Sequence, residues 1–351
     1  MEAASISAGP PASQRIRALI GTYGLLVLLL ALPVVYGIID LKDDGNLVRL
    51  GENVTAGISN GAIWALVAIG YTLVYGIVEL INFAHGEVFM IGSFISASFF
   101  ATIGLTKGAN AAVLFFGLLL TLFVAMLGSG LLNTMIERVA YRPLRNAPKL
   151  APLITAVGFS FILQNVGLLW LGGSHRGVPD LIESQSVVVT ILGVPISHGD
   201  ILALAVTTPL VIVLVNFINL SRIGRAMRAT AQDPEAARLM GINVDTTISF
   251  TFLLGGVMAG AAGLIYALYQ TDVWFFAGFT AGLISFTAAV MGGIGNLQGA
   301  VLGGLIIGII QQLSDNRIGT EWTPVVVFGY LVLILVFRPQ GLLGEQTREA
   351  G

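Results

Sequence analysis

Residues 78–94 read "VELINFAHGEVFMIGSF", placing Asn82, His85 and Glu87 between two runs apolar enough to dissolve in lipid. Ionisable groups within such runs are costly in hydrocarbon and are kept where they line a path, relay protons or end a helix. Two readings follow. His85 could be a pathway or gating residue hydrogen-bonded to Glu87 or Glu79, a role open to a side chain that titrates near neutrality. Alternatively it marks a helix end at the cytoplasmic interface, with Asn82 capping the preceding span and Glu87 near the positive start of the next. The charge distribution described below favours the second.

A second cluster, "DPEAARLMG" at 233–241, reads as a short helix. Asp233 suits the cap, Pro234 the first turn, Glu235 the positive end and Gly241 the stop, with Ala236, Ala237 and Arg238 between them. A helix this short is marginal alone and needs a surface to dock on, either its own bundle or another protein. The plainer reading is a solvated connector whose arginines set topology.

Other chemistry is excluded by what is missing. There are no cysteines, so disulfides and thiolate ligands are ruled out, and three scattered histidines make a metal cluster improbable. None of the three lysines lies in a Gly-x-x-x-x-Gly-Lys-Ser/Thr loop, and neither a Ser/His/Asp arrangement nor H-E-x-x-H occurs. No enzyme constellation or cofactor is therefore expected in this chain. The net charge of −2 leaves no basic stripe for nucleic acid.

The elements that must position these residues are membrane helices. Of 351 residues, 56% are hydrophobic and 10% charged, more apolar surface than one soluble core requires. A helix needs about 20 apolar residues to cross the hydrocarbon. That rule gives ten spans, near 16–39, 54–78, 87–105, 111–135, 151–172, 200–219, 247–269, 276–292, 297–313 and 322–337, and an all-α polytopic bundle. Residues 1–15 are expected to be a disordered cytoplasmic tail, 16–39 an additional first span, and 338–351 a second cytoplasmic tail.

With the N-terminus inside, 12 of the 17 basic residues fall on the cytoplasmic side: Arg15, Arg17, Arg138, Arg142, Arg145, Lys149, Arg222, Arg225, Arg228, Arg238, Arg338 and Arg348. Lys42, Arg49, Lys107, Arg176 and Arg317 fall outside. The excess predicts that both termini are cytoplasmic.

Glycines at four-residue spacing, Gly256 with Gly260, Gly278 with Gly282, and Gly295, Gly299 and Gly303 in one row, let helices approach closely. Ordinary packing within one subunit is the expected use. "GGIGN" at 292–296 cannot sustain a helix and predicts a break or re-entrant turn.

The loop with Glu-Ala-Ala followed four residues later by Gly resembles the coupling loop of ABC importer permeases. The blocks "GYTLVYGIVELINFAHGEVFMIG", "ERVAYRPLRNAPKLAPLITAVG", "GRAMRATAQDPEAARLMGIN" and "FTAAVMGGIGNLQGAVLGG" resemble the LivH-type permease of branched-chain amino-acid ABC transporters. Phe83 in "NFAHG" favours the amino-acid branch over the related urea and short-chain amide permeases. The resemblance implies a permease domain over 54–337 in the bacterial inner membrane, with a coupling loop at 220–246. It implies a second homologous permease subunit, two ATPase subunits that bind ATP and dock near 233–241, and a periplasmic amino-acid-binding protein. Coupling residues beyond Gly241 are not carried over. An ion-coupled secondary transporter is the alternative of a different class.

An amino-acid zwitterion in the bilayer needs donors, acceptors and an apolar lining, and broken helices supply the first two. Candidate breaks are 80–86 and 292–296. The candidate path comprises Asn82, His85, Glu87, Gln164, Asn165, Thr287, Gly292, Gly293 and Asn296. For Asn60, Thr72, Gln164, Asn165, Ser285 and Thr287 taken singly, an interhelical hydrogen bond is the commoner use of a polar group at that depth.

Overall fold

The computed structural model describes residues 12–344 apart from 146 and 149, so residues 1–11 and 345–351 of the expected tails lie outside the described residues. The ten expected spans are all helical. They correspond to α1 (Ala12–Asp43), α2 (Val48–Val78), α3 (His85–Thr102), α4 (Ala111–Ile136), α5 (Leu150–Leu171) and α6 (His198–Leu220). Two short helices follow, α7 (Arg222–Gln232) and α8 (Pro234–Leu239). The series ends with α9 (Val244–Gln270), α10 (Ala277–Gly292), α11 (Leu297–Arg317) and α12 (Thr323–Phe337).

Seven helices among the described residues are long and apolar enough to cross a membrane, α10 is shorter, and the chain is a multi-pass bundle. Two small strand pairs accompany the all-α bundle. Strand β1 (Arg176–Gly177) pairs with β4 (Asp272–Val273), and β2 (Val187–Ile191) forms a hairpin with β3 (Val194–Ser197). Positive φ at both Leu192 and Gly193 makes the tight turn that hairpin requires.

Burial sorts the helices into layers. In the apolar windows, 83% of α2 and 72% of α9 are buried, against 11% of α4 and 17% of α5, so α2 and α9 form the centre. Lipid gives no hydrophobic drive between helices, so close backbone contact must hold the centre together. A Cβ on Gly61 would stand 2.8 Å from the Gly304 carbonyl, and one on Gly308 would collide with the Gly61 Cα. Gly256 and Gly260 seat the backbone of α4 in the same way. Gly299 and Gly303 pack against α10, but Gly295 has φ +95 and nothing within 4 Å, so it belongs to the turn and not to the packing row.

Polar contacts supplement this packing. Asn60 donates to Gln312 at 3.1 Å and Trp64 to Gln311 at 2.7 Å, both across α2 and α11. At the C-terminal end of α11, Arg317 ion-pairs with the buried Asp40 on α1 and lies 5.6 Å from the centre of the Tyr36 ring, which ties down the first helix. After α12 the chain folds back, and the Leu342 and Leu343 amides bond the carbonyls of Met291 and Gly292 at the end of α10.

Gly61→Val should therefore overpack the α2–α11 seam and cost about 1–3 kcal/mol or more. Thermal unfolding in detergent, followed by size-exclusion chromatography, should show a lowered midpoint. Gly158→Ala, whose new methyl meets nothing within 4 Å, should leave the midpoint unchanged.

Candidate functional site

The site is organised by how α2 gives way to α3. The α2 helix stops at Glu79, which takes the left-handed conformation (φ 53), and its amide bonds the Tyr75 carbonyl at 2.8 Å. Asn82 does not cap this end. Its Oδ1 accepts from the Ala84 amide at 3.1 Å and from the Tyr141 hydroxyl at 3.3 Å, so it organises the start of the following helix instead. Its Nδ2 donates to Asn133 Oδ1 at 3.0 Å, and Asn133 in turn donates to the Phe252 carbonyl on α9 at 2.6 Å. The end of α2 is closed instead by the left-handed Glu79.

His85 is fully buried and meets the Tyr71 ring edge-on at 4.9 Å. It bonds neither Glu87 nor Glu79; neither ring nitrogen forms a well-aligned hydrogen bond, with the Val67 carbonyl in its neighbourhood. Nε2 fills the space where a Cβ on Gly70 would stand. Gly70 precedes the end of α2 by eight residues, roughly 12 Å of helix. The start of α3 is therefore buried in the bundle, beside α2 about two turns before that helix ends. Sequence periodicity cannot register that the chain turns back along α2 before it resumes a helix.

Glu87, in the first turn of α3, is 1% exposed. Ser160 on α5 donates to its Oε1 at 3.3 Å, while Oε2 has no hydrogen-bond partner and sits against Gly278 at the start of α10. Ser160 and Gly278 also line a cavity of about 80 Å³, together with Gln164 and an aromatic wall that includes Phe83 and Phe286.

A narrow gap of about 10 Å³, bounded by Tyr71, Phe286 and Ile294, continues below it. A vestibule of about 480 Å³ then opens at Gly295, Asn296 and Arg228. These three spaces follow α10 from its first turn to its end. Tyr71 and Phe286, in edge contact at 5.9 Å, form the constriction.

The break at 292–296 is present. Gly293 has φ +106, and Asn296 caps α11 through the Gly299 amide (3.0 Å) while donating to the Leu343 carbonyl (2.8 Å). Gly292 is buried against Gly299. Of the remaining candidates, Thr287 is buried with an unpartnered hydroxyl, and Asn165 is exposed and bonded to the Phe161 carbonyl of its own helix. The structure therefore brings Gln164 to the upper cavity, Glu87 behind its Ser160 and Gly278 wall, and Asn296 to the vestibule. Asn165 stays apart.

The 233–241 segment folds as expected. Asp233 Oδ1 accepts from the Glu235 and Ala236 amides at 2.9 and 3.0 Å, and Gly241 ends the turn with φ +82. Ala237 is the buried residue of α8, whereas Leu239 and Met240 are 89% and 82% exposed.

Beside it lies an ion-pair cluster that sequence reading missed. Arg142 and Arg145 both bind Asp245 in the first turn of α9, the former at 2.7 Å, and Arg145 also pairs with the buried Glu137. Ser249 donates to Glu137 at 2.6 Å. Glu137 opens a π-helical turn, Glu137–Tyr141, that ends α4. Only the mixed charges of "ERVAYRPLR" hinted at a pairing, and they named no partner.

The family described as "Branched-chain amino acid transport system / permease component" matches residues 53–336. The high-affinity branched-chain amino acid transport system permease protein BraD of Pseudomonas aeruginosa is 41% identical over 301 residues, covering 85% of this chain and 97% of that protein. The corresponding LivH of Escherichia coli K12 is 41% identical over 304 residues, covering 84% and 95%. The fructose import permease protein FruG of Bifidobacterium longum is more distant, at 26% over 253 residues, with 69% and 72% covered.

Asp233→Ala removes the acceptor for two α8 amides and should cost the helix about 1 kcal/mol. Hydrogen–deuterium exchange at residues 235–239 should accelerate severalfold while exchange in α9 stays unchanged.

Proposed function

The chain belongs to the family of branched-chain amino acid transport system permease components, and on that premise we propose that it forms the translocation path of an ATP-driven importer for apolar, branched-chain amino acids. The observation that carries this reading is 41% identity across nearly the full length of BraD and LivH. The chain acts as a transport subunit and not as an enzyme. ATP is bound and hydrolysed in two separate ATPase subunits, and this chain needs no cofactor of its own.

The ATPases dock on α8. Its cap makes a short rigid helix, and Leu239 and Met240 leave apolar surface that water would otherwise have to cover. A second homologous permease completes the membrane unit, and a periplasmic binding protein delivers the amino acid. The ten helices α1–α6 and α9–α12 lie in a bacterial inner membrane with both termini cytoplasmic, supported by the clustering of arginine in 138–145 and 222–238. The permease domain spans 54–337, and α1 is an addition held by Asp40 and Arg317.

Transport proceeds by alternating access. ATP-driven closure of the ATPases moves α8, and the bundle changes which end of the α10 path is open. The constriction at Tyr71 and Phe286, between two wider spaces, supports a gate at that level.

Deleting 233–241 should abolish co-purification of the ATPases while membrane insertion persists; retained ATPase binding would overturn the docking assignment. In proteoliposomes with the cognate binding protein, unlabelled leucine should suppress labelled-leucine uptake, and urea or acetamide should not. Preference for urea or amides would move the chain to the sister branch, and uptake by the purified chain alone would indicate an ion-coupled carrier.

A further inference from the structure

Glu87 is the carboxylate that the fold accounts for least. An ionisable group inside a membrane bundle is costly unless its lone pairs are met, and Oε2 meets no donor. Ser160 steadies Oε1 at 3.3 Å, and Gly278 brings bare backbone to Oε2 where any side chain would collide. Both residues line the upper cavity, so the carboxylate stands directly behind its wall.

The rest of that wall is apolar and aromatic, with Phe83, Phe279, Leu283 and Phe286. A carboxylate recognises an ammonium group, and an aromatic, apolar wall accepts the aliphatic chain attached to it. At about 80 Å³ the space is smaller than the roughly 300 Å³ at which small-molecule sites begin, so it must widen to admit a whole amino acid.

We infer that Glu87, steadied by Ser160, is the station on the path that binds the ammonium group of the travelling amino acid, while the aromatic wall of the same chamber takes its aliphatic side chain. This rests on the reading of the chain as an amino-acid permease. Glu87 also faces the first turn of α10, whose N-terminus has no side-chain cap. A carboxylate that only balanced that helix dipole would be indifferent to solute, which gives the test its discriminating power.

The chain has no cysteine, so Ser160→Cys introduces a single reporter in the complete reconstituted importer. Its modification by N-ethylmaleimide, read on this subunit by mass, is compared with and without two probes. Isopentylamine carries the ammonium and the branched chain, and 4-methylpentanoate carries the branched chain with a carboxylate.

The amine should slow modification severalfold and the acid should not; adding Glu87→Gln should abolish that protection. Glu87→Gln alone should lower leucine uptake by about tenfold or more, the scale of a lost charge-assisted hydrogen bond, and Glu87→Asp should restore part of it. Equal protection by acid and amine, a Ser160→Cys thiol that stays unreactive in every state, or wild-type uptake by Glu87→Gln would overturn the inference. If Glu87→Gln fails to assemble, the amine-versus-acid comparison on Ser160→Cys decides alone. Absence of leucine uptake by the unmutated importer would instead defeat the functional reading, which keeps the two failures apart.

Discussion

A helix can begin inside a membrane bundle only if its first amides and the turn before it find partners within the protein, because lipid offers none. The start of α3 meets that constraint, and much of the structure is arranged around it. Asn82, Asn133 and Tyr141 satisfy the turn from three directions. Space comes from absent side chains. Gly70 makes room for the His85 ring, and Gly86 allows the α10 backbone at Gly278 and Gly282 to approach. A methyl group at either position would push α3 outward and take Glu87 with it.

The same turn is joined by unbroken contact to the exposed helix at 234–239. Beyond α8 the chain enters α9, whose Asp245 is held by Arg142 and Arg145, and Arg145 reaches Glu137 at the start of the π-helical turn. That turn ends in Tyr141, whose hydroxyl bonds the Ile81 carbonyl and Asn82. π-helical turns often mark functional positions, since the extra residue makes the helix locally easier to rearrange. Spatial continuity does not establish energetic coupling. It does mean that a displacement of α8 has a connected set of polar contacts through which to reach the beginning of α3.

Glycine serves two purposes that one spacing pattern cannot separate. At Gly61, Gly304 and Gly308 it removes side chains so that α2 and α11 touch through backbone, the association available in lipid. At Gly293 and Gly295 it supplies positive φ for the turn that ends α10. Gly295 shares the four-residue spacing of Gly299 and Gly303 but not their role, because α11 starts after it.

The sequence by itself determined the elements and the family. Runs of about 20 apolar residues have few alternatives to helix in a membrane. Asp233, Pro234 and Gly241 act on backbone within a few residues of themselves, so α8 was readable from its local chemistry, as was the break at 292–296. Tertiary structure decided what depends on contacts distant in sequence. It set the depth of the 80–84 turn, turned Asn82 toward α3, joined Glu137, Arg145 and Asp245 across about a hundred residues, and closed the cavities along α10. The physical reason is range: caps, turns and hydropathy act through neighbours in the chain, whereas the position of a buried carboxylate depends on which helices the glycine seats allow to meet.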